Sequence, residues 1–231
     1  MLEAISRAFA LLSSGDRELF GTIGASLRFA LSSTAIASVG AIPLGALLAL
    51  RSFPGRRIVS VILHSTMALP TVVVGLLVYS LLSRSGPLGS AGLRFTPAAV
   101  LVGQAILAFP SVASMVQGAL GRFDPELRET FVTLGAGAAR MLGSVLREAA
   151  PGVAGAVLGG FGRVVGEVGV AMMLGGNIRF YTRTMTTAIA LETGKGEFER
   201  AIALGVVLIV VALTVNAAVN IAAGWMGRRE R

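Results

Sequence analysis

Cysteine is absent from this sequence, and with it any disulfide framework, thiolate metal site or thiol nucleophile. A single histidine, His64, rules out a multi-histidine metal centre, so neither a metal nor another bound cofactor is expected on this chain. The only lysine, Lys195, sits in Gly194-Lys195-Gly196, and no Gly-x-x-x-x-Gly-Lys-Ser/Thr phosphate-binding loop exists. Charge is scarce too: 14% of residues are charged, where a soluble domain carries about 25%.

What fills the space is apolar. Hydrophobic residues make up 54% of the 231 positions, with a mean hydropathy of +0.79. They are grouped in long runs separated by short stretches that hold nearly all the charge. A run of ~18 or more apolar residues crosses the hydrocarbon core as a helix and satisfies its own backbone where water cannot. The fold expected is therefore all-α: a polytopic membrane helix bundle in one domain, 1–231. About five spans are read, at 27–50, 58–82, 97–120, 151–174 and 201–225. Leu69-Pro70 interrupts the second and Phe109-Pro110 lies in the third. Residues 2–14 place Leu2, Ile5, Phe9 and Leu12 at near-helical spacing, an amphipathic segment too short to span and suited to the membrane surface. Glu3 and Arg7 in this stretch, and the lack of a clear cleavage site, argue against a cleavable signal peptide.

The net charge of +8 is almost wholly arginine. In a soluble protein it would suggest nucleic acid; here the arginines flank the apolar spans, so the bilayer is the expected partner and nucleic acid is not. With the N-terminus outside and the C-terminus cytoplasmic, the inner loops hold ten basic residues against eight outside. Arg56-Arg57 and the basic C-terminus are the clearest inside markers.

Three features carry functional content. In segment 121–150, Asp124 is an N-cap, Pro125 takes the first helical position, and Gly135 can supply a left-handed C-cap beyond Leu134. Leu127, Phe131 and Leu134 form a narrow apolar stripe, with Glu129 away from it. Such a helix suits docking into a groove on a soluble partner, or resting on the bilayer or its own bundle. In the fourth span, Gly155-x-x-x-Gly159 and Gly162-x-x-x-Gly166 permit close helix approach, and Arg163 and Glu167 stand four apart. Ionisable groups at membrane depth point either to function or to a structural ion pair, and both readings stay open. Finally, Arg179, Thr182, Arg183, Thr184, Thr186 and Thr187 offer guanidinium forks and hydroxyls of the kind a tetrahedral anion accepts from. Ordinary loop arginines are the alternative. His64 is read as packed or locally hydrogen-bonded.

Phe123-Asp124-Pro125-Glu126-Leu127-Arg128-Glu129 followed by Leu134-Gly135 resembles the cytoplasmic coupling loop of ABC importer permeases. The Glu-Ala-Ala triplet of that loop is Glu129-Thr130-Phe131 here, and its downstream Leu-Pro is missing. Leu69-Pro70-Thr71-Val72-Val73-Val74-Gly75, Gly86-Pro87-Leu88-Gly89, Phe109-Pro110-Ser111, and Gly166-Glu167-Val168-Gly169 with Gly175-Gly176-Asn177-Ile178 resemble the sulfate/molybdate/tungstate branch. Thr182-Arg183-Thr184-Met185-Thr186-Thr187 and the residues to Thr193 resemble the tungstate-type permeases.

The resemblance implies a non-catalytic subunit that moves a tetrahedral oxyanion by alternating access. Tungstate comes first, with molybdate or sulfate as the alternatives. ATP and Mg would be bound by a separate cytoplasmic ABC ATPase dimer, and an extracytoplasmic binding protein would deliver the anion. Asp124, Leu127, Glu129, Phe131, Leu134 and Gly135 would couple to the ATPase; Pro70, Thr71, Arg163, Glu167, Arg179, Thr182, Arg183, Thr184 and Thr186 are the gate and translocation candidates. Five spans are few for a complete route, so a homodimer with the path at its two-fold interface is expected. The rival classes are an ATP-independent anion transporter or channel and a membrane scaffold, but no internal repeat is evident and Glu167 is the only acid well inside a span.

Replacing Gly135 by a bulky residue is expected to uncouple ATP hydrolysis from transport, because a β-carbon strains a left-handed cap. Normal ATP-driven uptake by such a variant would count against the docking role.

Overall fold

The first long helix starts where its sequence supplies a cap. Asp16 accepts a hydrogen bond from the Leu19 amide at 2.8 Å, and Glu18 in the first turn favours the positive helix end. The computed structural model describes residues 2–121, 143 and 147–229. Its helices are α1 (Leu2–Ser13), α2 (Arg17–Leu50), α3 (Arg56–Thr66), α4 (Thr71–Leu82), α5 (Pro97–Leu120), α6 (Ala150–Val165), α7 (Gly169–Gly175), α8 (Met185–Lys195) and α9 (Phe198–Arg229), with a 3-10 turn at Gly89–Ala91. No strand occurs among the described residues.

Three helices, α2, α5 and α9, are long and apolar enough to cross a membrane. Two bent pairs raise the number of crossings to as many as five: α3 with α4, at 99°, and α6 with α7, at 63°. The five expected spans each fall on one of these units, with two differences. The stretch 58–82 is two helices with a sharp corner, and 151–174 is broken at Gly166–Val168. The stretch 175–200, expected as a polar segment, contains helix α8.

Pro70 and Pro110 behave differently because their surroundings differ. At the α3–α4 corner the chain unwinds through short turns, Met67 N to His64 O, Ala68 N to Ser65 O and Leu69 N to Thr66 O. Pro70 then caps α4, its carbonyl accepting from the Val73 and Val74 amides. Pro110, by contrast, lies buried within an unbroken α5, between Ala108, Val112 and Ala113, all fully enclosed. Neighbours enclose that helix as it continues past its missing donor.

Packing is built on α2 and α5, which lie against each other along most of their lengths. The approach is close because small residues face large ones. A β-carbon at Gly45 would meet the Ala113 carbonyl oxygen at 2.6 Å and Val116 at 2.8 Å. Helix α6 joins by the same device: a β-carbon at Gly160 would stand 2.3 Å from Val112, and one at Gly159 2.6 Å from Met115. Gly162 faces Val215 of α9. The glycine repeats of the fourth span thus serve two neighbours, while a β-carbon on Gly166 at the bend meets nothing.

The apolar core divides towards the two ends. One cluster joins Leu48, Leu63, Val116, Leu120 and Ala149 at the end from which 121–150 departs. The other joins Leu19, Leu174, Met185 and Leu204 towards the opposite end. At 1.5 Å per residue α2 is about 51 Å long, against ~30 Å of hydrocarbon. Its uncharged stretch, 29–50, accounts for about 33 Å of that. The turns before Arg28 therefore stand above the hydrocarbon. Helix α9 matches: Ala201, Ala203 and Leu204 are buried, whereas Ile209, Val210, Leu213 and Ile221 face outward. Helix α1 lies along α9, tied by Arg7 to Glu199 at 2.8 Å.

Gly45→Leu should destabilise the bundle by about 1–3 kcal/mol, since the nearest clash is with backbone and cannot swing away. Thermal unfolding in detergent checks this, with Gly118→Ala, where a β-carbon meets nothing within 4 Å, as the neutral comparison.

Candidate functional site

Each bent pair leaves backbone groups that a continuous helix would have satisfied, and those groups define the site. At the α6–α7 bend the repair falls to Glu167, which is 5% exposed. Its carboxylate accepts from the Val170 amide at 3.3 Å, supplying a partner at the α7 N-terminus, and from Arg163 Nη1 at 3.1 Å. Its backbone carbonyl accepts from the Thr186 hydroxyl at 2.7 Å. One residue thus holds the bend to α6, α7 and α8 at once.

The other broken span leans on this bend. A β-carbon at Gly169, the first residue of α7, would lie 2.8 Å from Thr71 Oγ1 and 3.0 Å from the Val72 amide nitrogen. One turn on, Gly75 faces Val170 and Met173 at 3.1–3.3 Å. The beginnings of α4 and α7 therefore touch with only hydrogen between them. Of the expected gate residues, Pro70 is exposed at the corner, Thr71 is half-buried beside Gly169, and Arg163 and Glu167 form the ion pair behind it.

The remaining gate candidates gather in a second layer above, where 176–184 connects α7 to α8. Thr182 donates to the Gly175 carbonyl and accepts from the Ile178 amide at 3.1 Å, closing a tight loop. Asn177, in the left-handed region at φ 53°, accepts from Arg183 Nε at 3.2 Å and from Thr187 Oγ1 at 3.0 Å. Thr184 and Thr187 cap α8 reciprocally: the Thr187 amide donates to Thr184 Oγ1 at 3.3 Å, and the Thr184 amide donates to Thr187 Oγ1 at 2.9 Å. The hydroxyls of Thr184 and Thr186 lie 3.0 Å apart, linking this layer to the Glu167 bend. The Met185 amide donates to Ser26 Oγ of α2 at 2.6 Å.

Glu18 of α2 is the anchor of the layer. It accepts from Arg183 Nη1 at 2.9 Å, from Arg200 Nη1 at 3.1 Å and from Arg179 Nη2. Asp16 adds a longer contact to Arg200 at 3.9 Å. Beside them opens a small pocket lined among others by Thr22, Arg183, Glu192 and Arg200.

The structure brings Arg179, Thr182, Arg183, Thr184 and Thr186 together, each with at least one polar partner inside the protein. Glu18 escaped sequence reasoning: it precedes the apolar run and lies 161 positions from Arg179. The one available signal is that it and Asp16 are among only three acids before residue 124. Asp124, Leu127, Glu129, Phe131, Leu134 and Gly135 lie outside the described residues. His64 is exposed, its Nδ1 2.6 Å from the Ser60 carbonyl of its own helix.

A bundle with two spans broken side by side and an ion pair at the break is a polytopic membrane protein of the transporting kind. Comparison with known sequences narrows this: residues 41–231 match the family described as binding-protein-dependent transport system inner membrane component, and the chain belongs to that family. It is similar to the tungstate uptake system permease protein TupB of Peptoclostridium acidaminophilum, with 36% identity over 94% of this chain and 95% of that one. TupB of Campylobacter jejuni is 36% identical over 94% and 90% respectively. A probable anion ABC transporter permease protein of Haloferax volcanii is 37% identical over 90% and 92%. The chain is thus a multi-pass inner-membrane transport component of the branch that its motifs resemble.

Gly169→Leu should leave the protein inserted but remove most uptake, because its side chain must displace Thr71 and the Val72 backbone. Uptake in cells or vesicles, normalised to membrane-inserted protein, checks this; wild-type uptake would show that the two bends need not touch.

Proposed function

We propose that this chain is the permease of an ATP-driven importer that carries tungstate, with molybdate and sulfate as weaker competitors. The observation that carries the reading is the contact between the two bends, where α4 and α7 meet through Gly169 and Gly75. A continuous helix resists bending, whereas two helices interrupted at the same place supply the hinge that alternating access needs. Two tungstate permeases among its relatives, each covered nearly end to end, support the substrate class.

In this reading residues 1–231 form one transmembrane domain and act as a homodimer. The end that carries 121–150 is cytoplasmic. There Asp124, Leu127, Glu129, Phe131, Leu134 and Gly135 meet an ABC ATPase dimer that binds ATP and Mg. The Glu18 layer is extracytoplasmic and meets the binding protein, with the N-terminus outside and the C-terminus inside. Pro70, Thr71, Arg163 and Glu167 act at the hinge. Arg179, Thr182, Arg183, Thr184 and Thr186 act by fixing the outer layer in place rather than by ligating the anion, since each is held by a partner within the protein.

The test is reconstitution in proteoliposomes with the ATPase and binding protein. Tungstate accumulation is expected to require ATP and both partners, and molybdate and sulfate should compete less well. Accumulation that continues without ATP or without any ATPase would replace this reading with a secondary transporter or channel.

A further inference from the structure

We infer that Glu18 is a built-in counter-anion that masks a three-arginine oxyanion site at the end of the bundle opposite segment 121–150. The geometry is that of an anion site already filled. Arg179 and Arg200 both donate to one carboxylate oxygen, and Arg183 donates to the other at 2.9 Å. The Glu18 and Arg183 side chains are only 13% and 12% exposed, so the contact is largely withdrawn from water. Charge-assisted bonds to guanidinium groups in such surroundings are strong, and a guanidinium fork fits phosphate-like oxyanions as well as carboxylates.

The local charge shows what the mask prevents. Arg179, Arg183 and Arg200 pair with Glu18 or Asp16, and Lys195 pairs with Glu192 of the same pocket wall, leaving one positive charge in excess. Neutralising Glu18 leaves two, the charge of one tetrahedral dianion. Such an ion offers four acceptor oxygens to donors that Glu18 now serves with two. The small pocket beside Arg183 and Arg200, with Thr22 in its wall, borders the carboxylate whose place the ion would take.

The significance of the mask rests on the proposed reading as an oxyanion permease. Unmasked arginines at the entry face would hold the incoming anion and slow its passage. A tethered carboxylate competes at high effective concentration and keeps the cluster closed. Glu18 is thus a positioning residue that excludes the substrate from a site its own arginines would make.

The experiment is equilibrium binding of radiolabelled sulfate, and of tungstate, to the purified full chain in detergent, without a binding protein. Glu18→Gln should bind either dianion at least about tenfold more tightly than wild type, while chloride should not compete at equal concentration. Glu18→Asp, which keeps the charge, should behave as wild type, and Glu18→Gln with Arg183→Gln should lose the gained binding. If Glu18→Gln is too unstable to purify, sulfate or tungstate in the buffer should restore its yield by supplying the missing counter-charge. A folded Glu18→Gln that binds no better than wild type overturns the inference, as does an unstable one that neither dianion rescues. Because no transport is measured, a failure here is distinct from a failure of ATP-driven uptake.

Discussion

Inside a bilayer every backbone N–H and C=O must find its partner within the protein, and the architecture of this chain follows from where that rule is strained. Three helices run unbroken, two of them through an internal proline, Pro43 of α2 and Pro110 of α5. The two bent pairs do not, and their loose ends are met by specific groups: Pro70 offers its carbonyl to two α4 amides, Glu167 takes an α7 amide, and Thr186 takes the Glu167 carbonyl. A bend stabilised by side chains is one that can be re-formed in another arrangement, which a continuous helix cannot offer.

The bends also connect to the outer layer. Thr186 reaches the Glu167 carbonyl while its hydroxyl lies 3.0 Å from that of Thr184, which caps α8. Thr187 of that cap bonds Asn177, which receives Arg183, which in turn holds Glu18 on α2. A continuous chain of polar contacts thus runs from the extended start of α2 to the α6–α7 break. In the proposed reading this chain of contacts links the layer that meets the binding protein to the hinge.

Much of the architecture was legible in the sequence because apolar runs report burial in lipid directly. An interruption at Pro70 is visible in the sequence, though not the sharp corner; the break at Gly166–Val168 is hidden inside a span whose apolar residues continue to Leu174. Pro110 carries the same local signal as Pro70, yet α5 continues, because enclosure by neighbours decides the outcome and no local pattern encodes it. Helix α8 was missed for a related reason. Its buried side chains include Thr186, Thr187 and Glu192, which read as a polar loop until their partners are known. The arginines and threonines of 179–187 were found by residue type, but their role was not, since it depends on Glu18 far away in the chain.

The contact between the two broken spans is the claim on which the account turns, and the absence of cysteine makes it directly measurable. A β-carbon at Gly75 would stand 3.1 Å from that of Met173, within a few tenths of an ångström of the ~3.5–4.5 Å found in disulfides. The decisive measurement is tungstate uptake by the Gly75→Cys, Met173→Cys chain before and after mild oxidation in the membrane, with the bond located by peptide mass spectrometry. The account expects a bond within one chain that stops uptake until a reductant restores it. A chain that does not cross-link, or one fully cross-linked that still transports at its reduced rate, would contradict it.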